Sequence, residues 1–205
     1  MPRPGRNTYR DELGIDATQF VVLYAGNIGK KQALHLVADA AEALQENAGI
    51  VFVIAGEGPE KSKLVERNLP NIRFLPLQPE ERLGDLLALA DAHVLPQESD
   101  VADLVLPSKL GGMLASGRAM IVMANEDTEL FDFLEGEARI VPPGDASALA
   151  QAILAEIETP SPKHTGRRER LLRALSRPDA MSVFTDSLLS QGRPAEDQLL
   201  LKPTQ

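Results

Sequence analysis

Six short apolar segments, each followed by a longer segment with apolar residues at helical spacing, run through most of this chain, and that alternation limits its fold more than any other feature. FVVLYA (20–25), IVFVIA (50–55), IRFL (72–75), AHVL (92–95), AMIVMA (119–124) and RIV (139–141) read as strands. The segments after them, KQALHLVADAAEAL, PEKSKLVERN, PEERLGDLLALA, PSKLGGMLAS, DTELFDFLEG and DASALAQAILAEIE, read as amphipathic helices. The strands are continuously apolar rather than alternating, as expected when helices cover both faces of a sheet. The expectation is an α/β fold: an open, doubly wound parallel sheet of about six strands with right-handed crossovers, followed by C-terminal helices. Residues 1–18 read as a lead-in or linker and 19–158 as the α/β domain. A helical segment follows at 159–191, and 192–205 as a frayed tail.

Composition removes several function classes. The chain of 205 residues can bury one sizeable core, and it contains no cysteine, which excludes disulfide-stapled folds, cysteine catalysis and thiolate metal sites. A formal net charge of −9 argues against a nucleic-acid partner, since phosphate backbones are gripped by many Lys and Arg, but it leaves room for one small anion held by local donors. The N-terminal MPRPGRNTYRDELG lacks the apolar core of a signal peptide, and no apolar run approaches the ~20 residues of a membrane span.

Ligands of open α/β sheets bind at the carboxyl ends of the strands, where helix N-termini offer free N–H groups and partial positive charge. Four of the expected helices open with acids: Glu57 and Glu60; Glu80 and Glu81; Asp127 and Glu129; Asp145. Two do not. GNIGKKQ after the first strand carries Lys30 and Lys31, and LPSKL at the fifth helix carries Lys109, with Pro107 suited to the first helical position. Lysine there opposes the helix dipole, and a bound anion reverses the sign. The two turns together read as a cradle for a diphosphate; the competing reading is three solvated lysines. Gly26 and Gly29, around Asn27 and Ile28, permit close backbone approach to phosphate, as an ordinary strand-to-helix turn would also require. Ser108 has a hydroxyl for phosphate, sugar or a local bond. Gly56-Glu57-Gly58 lacks the third glycine of a dinucleotide fingerprint and does not follow the first strand.

Other candidates read as structural. His35 and His93 fit packed positions on a helix and a strand, and no histidine pair has metal-ligand spacing. Glu98, Asp100 and Asp103 read as a solvated acidic loop rather than a metal site. No serine has a nucleophile-elbow context. Arg167, Arg168, Arg170 and Arg173 read as a solvated helix face, with acidic lipid head groups or an acidic partner as the alternative.

YAGNIGKKQAL, IAGEGPEKSKL, NIRFLPLQPEERLGDLLALADAHVLP, LPSKLGGMLASGRAMIV and VPPGDASALAQAI, in this order, resemble the C-terminal, donor-binding domain of the GT-B glycosyltransferases of family 4, the group 1 glycosyltransferases. The likeness runs from about 19 to 158, and GNIGKKQ and PSKLGGMLASG are similar to the subgroup that builds colanic acid and other exopolysaccharides. The resemblance implies a Rossmann-like half of a GT-B fold and a retaining sugar transfer from a nucleoside-diphosphate sugar. It also implies no cofactor, no bound metal and a cytoplasmic location, with association at the inner membrane surface left open. Carried over, the donor diphosphate falls to Gly26, Asn27, Gly29, Lys30, Lys31, Ser108, Lys109 and Leu110, with Lys109 and Lys31 foremost. The nucleotide base falls to Gly56 and to the turn around Leu77 and Gln78. No catalytic residue carries over: two family glutamates correspond to Leu104 and Gly112, and Asp103 is out of register.

Family members also carry an N-terminal acceptor domain, and RNTYRDELGI resembles the linker between the halves. The expectation is therefore an excised domain or truncated product that does not transfer sugar alone. The alternative is a non-catalytic GT-B-like module that binds a nucleotide or a partner protein; Leu104 and Gly112 favour it, while GNIGKKQ and PSKL favour the enzyme.

Overall fold

A computed structural model of the chain describes residues 7–99, 106–162 and 166–175. The six strands expected from the apolar runs are present: β1 (Phe20–Ala25), β2 (Ile50–Ala55), β3 (Ile72–Leu75), β4 (Ala92–Leu95), β5 (Ala119–Met123) and β6 (Arg139–Val141). They form one parallel sheet in the order β3-β2-β1-β4-β5-β6. The helices are α1 (Thr8–Glu12), α2 (Leu34–Ala43), α3 (Lys61–Glu66), α4 (Glu80–Leu89), α5 (Leu110–Ala115), α6 (Glu129–Leu134), α7 (Ala146–Glu158) and α8 (Gly166–Leu175).

Alternate residues of each central strand point to opposite faces, so continuously apolar strands feed two cores. From β1, Val22 and Tyr24 join Phe52, Ile54 and Val94 beneath α2 and α7, while Val21 and Leu23 join Val51 and Val53 beneath α1 and α4. A third cluster, with Leu110, Leu114, Met120 and Val122, gathers α5, α6 and α8.

Two flanking segments belong to this packing. In the lead-in, the Asn7 side chain caps α1 by accepting from the Tyr9 N–H, and Tyr9 is fully buried with Arg82 stacked 4.1 Å from its ring centroid. These residues are part of the core rather than a free tether. At the other end, Arg168 of α8 is buried against the domain. Its guanidinium donates to the carbonyls of Arg118 (2.9 Å) and Glu137 (3.1 Å) and lies 3.5 Å from the Glu137 carboxylate. The arginine run therefore does not form one solvated face: Arg168 is an anchor, while Arg170 and Arg173 are exposed. Leu171 and Leu172 pack against the third cluster. The rest of the expected helical segment, 176–191, and the tail at 192–205 lie outside the described residues. Among the described residues no helix is long and apolar enough to cross a membrane.

Candidate functional site at the switch point of the sheet

In this strand order the connections from β1 and β4 leave in opposite directions along the sheet, and a crevice opens between their carboxyl ends. The turn after β1 is GNIGKKQ, and the loop after β4 leads to PSKL. The two acid-free turns singled out by sequence thus follow neighbouring strands at the topological switch point.

The turn after β1 is built on backbone pairing that continues past the strand ends. Gly26 N–H donates to Ala55 O (2.9 Å), Ile28 N–H to Glu57 O (2.8 Å), and Glu60 N–H to Ile28 O (3.1 Å). Gly26 has φ 152°, a conformation that favours glycine. Gln32 closes the turn, its Oε1 accepting from Gly29 N–H at 3.1 Å and from Asn27 Nδ2 at 3.4 Å. Lys30 and Lys31 sit in a short 3₁₀ turn, both exposed, as is Asn27.

Lys109 differs from the sequence expectation. Leu110 rather than Pro107 begins α5, so Lys109 is the residue before the helix, and its side chain is drawn inward. Its Nζ donates to the Tyr24 hydroxyl at 3.0 Å and lies 4.2 Å from the centroid of that ring. The hydroxyl in turn donates to Asn27 O at 2.6 Å. Loss of solvent pushes the Lys109 ammonium down to about 8 and raises the Tyr24 phenol. Among the described residues no carboxylate pairs with this ammonium. A cation held out of water without a counter-charge is unfavourable until an anion arrives.

The remaining candidates separate. Ser108 is exposed beside Lys109. Leu110 is fully buried in the third core cluster, with its N–H given to Pro107 O, so it has neither side chain nor donor left for phosphate. Gly56 is likewise committed: its N–H goes to Leu75 O, its carbonyl accepts from Lys61 Nζ at 3.2 Å, and a Cβ there would stand 1.9 Å from Gly26 O. That makes it a close-packing residue beneath the first turn. Leu77 projects from the β3–α4 turn at 74% exposure. Gln78 is turned inward, Oε1 accepting from the Tyr9 hydroxyl (2.9 Å) and Nε2 donating to Pro76 O (2.9 Å). Tyr24 was missed by sequence reading, because an apolar strand residue gives no sign of which side chain its hydroxyl will meet.

Gly112, which the sequence resemblance sets against a family glutamate, lies on α5 where a Cβ would come 3.2 Å from Leu87 Cδ1 of α4. Leu104, Asp100 and Asp103 lie outside the described residues, as does His164. Of the other histidines, His93 is buried with Nε2 3.0 Å from Ser116 Oγ, and burial pushes its imidazole down to about 4. His35 is half exposed rather than packed, 3.6 Å from Glu98.

The family model for "Glycosyl transferases group 1" matches residues 19–158. This chain belongs to the group 1 glycosyltransferases. It is 35% identical over 187 residues to an Escherichia coli protein assigned to colanic acid biosynthesis as a glycosyl transferase, a match covering 87% of this chain and 45% of that protein. It is 28% identical over 145 residues to a Bacillus subtilis glycosyltransferase assigned to teichuronic acid biosynthesis, covering 70% of this chain and 34% of the relative. The chain thus spans less than half the length of these group 1 relatives. Among solved structures it resembles sucrose-phosphate synthase from Thermosynechococcus elongatus, with TM-score 0.67, 21% identity, and 89% and 47% of the two chains covered. It also resembles Anabaena HepE in complex with UDP and glucose, with TM-score 0.66, 18% identity, and coverage of 90% and 52%. At these identities the likeness supports the fold, that of a GT-B glycosyltransferase half.

Proposed function

We propose that this chain is the nucleoside-diphosphate-sugar-binding half of a retaining glycosyltransferase that acts in polysaccharide or lipid-linked glycan assembly. The observation that carries this reading is the Lys109 ammonium, withdrawn from water at the switch point with a phenol hydroxyl as partner and no described carboxylate. The donor diphosphate is the anion it lacks. Lys109 takes one phosphate, and the Gly26–Gly29 turn lets the backbone come close. The exposed Lys31, with Lys30 and Ser108 beside the site, adds charge and hydrogen bonds. Leu77 offers an apolar face to the base, with the backbone of the same turn for its polar edge. Sugar transfer leaves a nucleoside diphosphate behind, so a site that stabilises diphosphate charge stabilises the leaving group as it develops. No metal or cofactor is required by this scheme, and the acceptor is presented by the half that the longer relatives possess. The chain alone is accordingly inactive in transfer, working in the cytoplasm or at the inner membrane surface when its other half is present.

The test is calorimetric titration with nucleoside diphosphates (UDP, GDP, ADP and dTDP) and their nucleosides. One diphosphate is expected to bind far more tightly than its nucleoside, with or without EDTA. Lys109→Ala is expected to weaken that binding by roughly 1–3 kcal/mol, the scale of a charge-assisted hydrogen bond. If no diphosphate outbinds its nucleoside, or the variant binds as well as the parent chain, the phosphate site is elsewhere or absent.

A second reading, a non-catalytic nucleotide- or partner-binding module, draws on Gly112, where a family glutamate is replaced by a residue facing Leu87. Turnover by this chain joined to an acceptor half would exclude it.

A further inference from the structure

We propose that Tyr24 is the positioning residue of this phosphate site, its hydroxyl tying the Lys109 ammonium to the Gly26–Gly29 turn and so setting the spacing of the two turns. The inference rests on the reading of the site as a donor diphosphate site.

Tyr24 is 1% exposed near the end of β1. A tyrosine buried for packing needs one partner for its hydroxyl. Here the oxygen uses both capacities: it accepts from Lys109 Nζ, 85 residues away in sequence, and donates to Asn27 O. Each bond reaches one of the two turns. A Cβ on Gly26 would stand 3.5 Å from both Lys109 Nζ and the Tyr24 oxygen, so the bare Cα of the first turn lies directly against the pair.

The choice of a phenol has a chemical consequence. A carboxylate in its place would hold the lysine equally well but would neutralise it and repel phosphate. A neutral hydroxyl fixes the ammonium and leaves its charge for the ligand. The ring adds a cation–π contact without satisfying that charge. Around the ammonium, Tyr24 supplies the titratable group on β1, and among the described residues neither the glycine turn nor α5 sets an ionised group against it.

Removing the hydroxyl keeps the packed ring but takes away the ammonium's acceptor and the donor to Asn27. The charged lysine is then less well supported, so it deprotonates at lower pH. In the parent chain UDP affinity is expected to fall as pH rises through about 8, where Lys109 loses its proton. In Tyr24→Phe, UDP is expected to bind about ten-fold more weakly at neutral pH, and the alkaline fall is displaced downward by about one pH unit. Lys109→Ala should abolish the fall. NMR titration of the Lys109 ε-methylene in ligand-free chain, with thermal melts to confirm folding, reads the same displacement directly.

An unmoved alkaline limb in a folded Tyr24→Phe chain that still binds UDP overturns the inference alone, as does uniform weakening with an unmoved Lys109 titration. Failure of the parent chain to bind UDP or any other diphosphate better than its nucleoside overturns the donor-site reading, and the inference with it.

Discussion

The turns after β1 and β2 look alike in sequence, each a strand followed at once by glycine, two glycines in all, and a lysine, yet they are wired in opposite ways. In the second turn Lys61 donates to Gly56 O and pairs with Glu57 at 2.8 Å, so the cation is neutralised within its own turn. In the first turn the exposed Lys30 and Lys31 have no acid nearby in sequence, and the lysine that reaches in, Lys109, comes from just before α5 and, among the described residues, meets a phenol rather than a carboxylate. The second turn also lies directly beneath the first, with Gly56 against Gly26 O and Gly58 against Ile28 O. The pair is thus a ligand-facing turn and its buttress. Local acids distinguish them: a turn that carries its own counter-charge holds itself, and a turn without one awaits a charge from outside.

The strongest way to break this comparison is to add a methyl group to the buttress. Gly56 has φ 150°, and its Cβ would fall 1.9 Å from a backbone oxygen that cannot rotate aside. Strain and overpacking of about 1–3 kcal/mol each place Gly56→Ala at about 3 kcal/mol or more of destabilisation. Gly26→Ala carries comparable backbone strain at φ 152° but meets only side-chain atoms, at 3.5–3.7 Å, so it should lose less stability and more ligand affinity. Urea unfolding of both variants checks the order. Equal losses would mean that the two turns support one another symmetrically.

Next in size is one substitution with opposite signs at two lysines. Lys109→Met keeps the stem and removes a charge that burial disfavours. Burial holds the folded-state ammonium at about 8, below the ordinary lysine value of 10.5, so the cost to stability is complete below about pH 8 and relieved as pH rises towards 10.5. The variant should therefore be more stable at neutral pH by about 1–2 kcal/mol after allowance for remaining solvent contact, with the gap closing in that alkaline window. Lys61→Met removes a bond to Gly56 O and an ion pair with Glu57, and should cost about 0.5–1.5 kcal/mol. Thermal melts at neutral and alkaline pH give both. A destabilised Lys109→Met would show that the phenol contacts outweigh desolvation, and the contrast between the turns would fail.

Much of this was legible before the structure. Continuously apolar strands with helices between them can bury both sheet faces in few ways, and the six strands fall where the runs placed them. The acid-free segments after β1 and β4 were also visible, although Lys30 and Lys31 fall in a 3₁₀ turn ahead of α2, Lys109 falls just before α5, and the first turns of α3 and α7 carry no acid either. Contacts across the sheet were not. That Gly56 serves Gly26, that Leu110 is core, and that Tyr24 joins turns 85 residues apart depend on register and side-chain direction, which no local pattern carries. Lys109 shows the same boundary: its position near the start of α5 was legible, but its exact place, just before the helix, and its inward turn towards a strand residue far away were not.

The smallest expected effect lies where the first turn enters its helix. Ala33, between the 3₁₀ turn and α2, adopts φ 48° and ψ 35°, a left-handed conformation that disfavours any side chain, while Glu60 before α3 has φ −90° and ψ −3°. Only the first turn, then, reaches its helix through strain. Ala33→Gly relieves about 1 kcal/mol of that strain. It also removes a methyl group that is fully buried, worth about 0.8 kcal/mol. The two nearly cancel, so the melt should move by the equivalent of less than about 0.5 kcal/mol, a change in which neither effect dominates. A clear gain would show that the left-handed residue is a cost borne to shape the entry of α2. A clear loss would show that the methyl packing against the first core cluster holds the ligand-facing turn in place, a support that the second turn draws instead from Lys61.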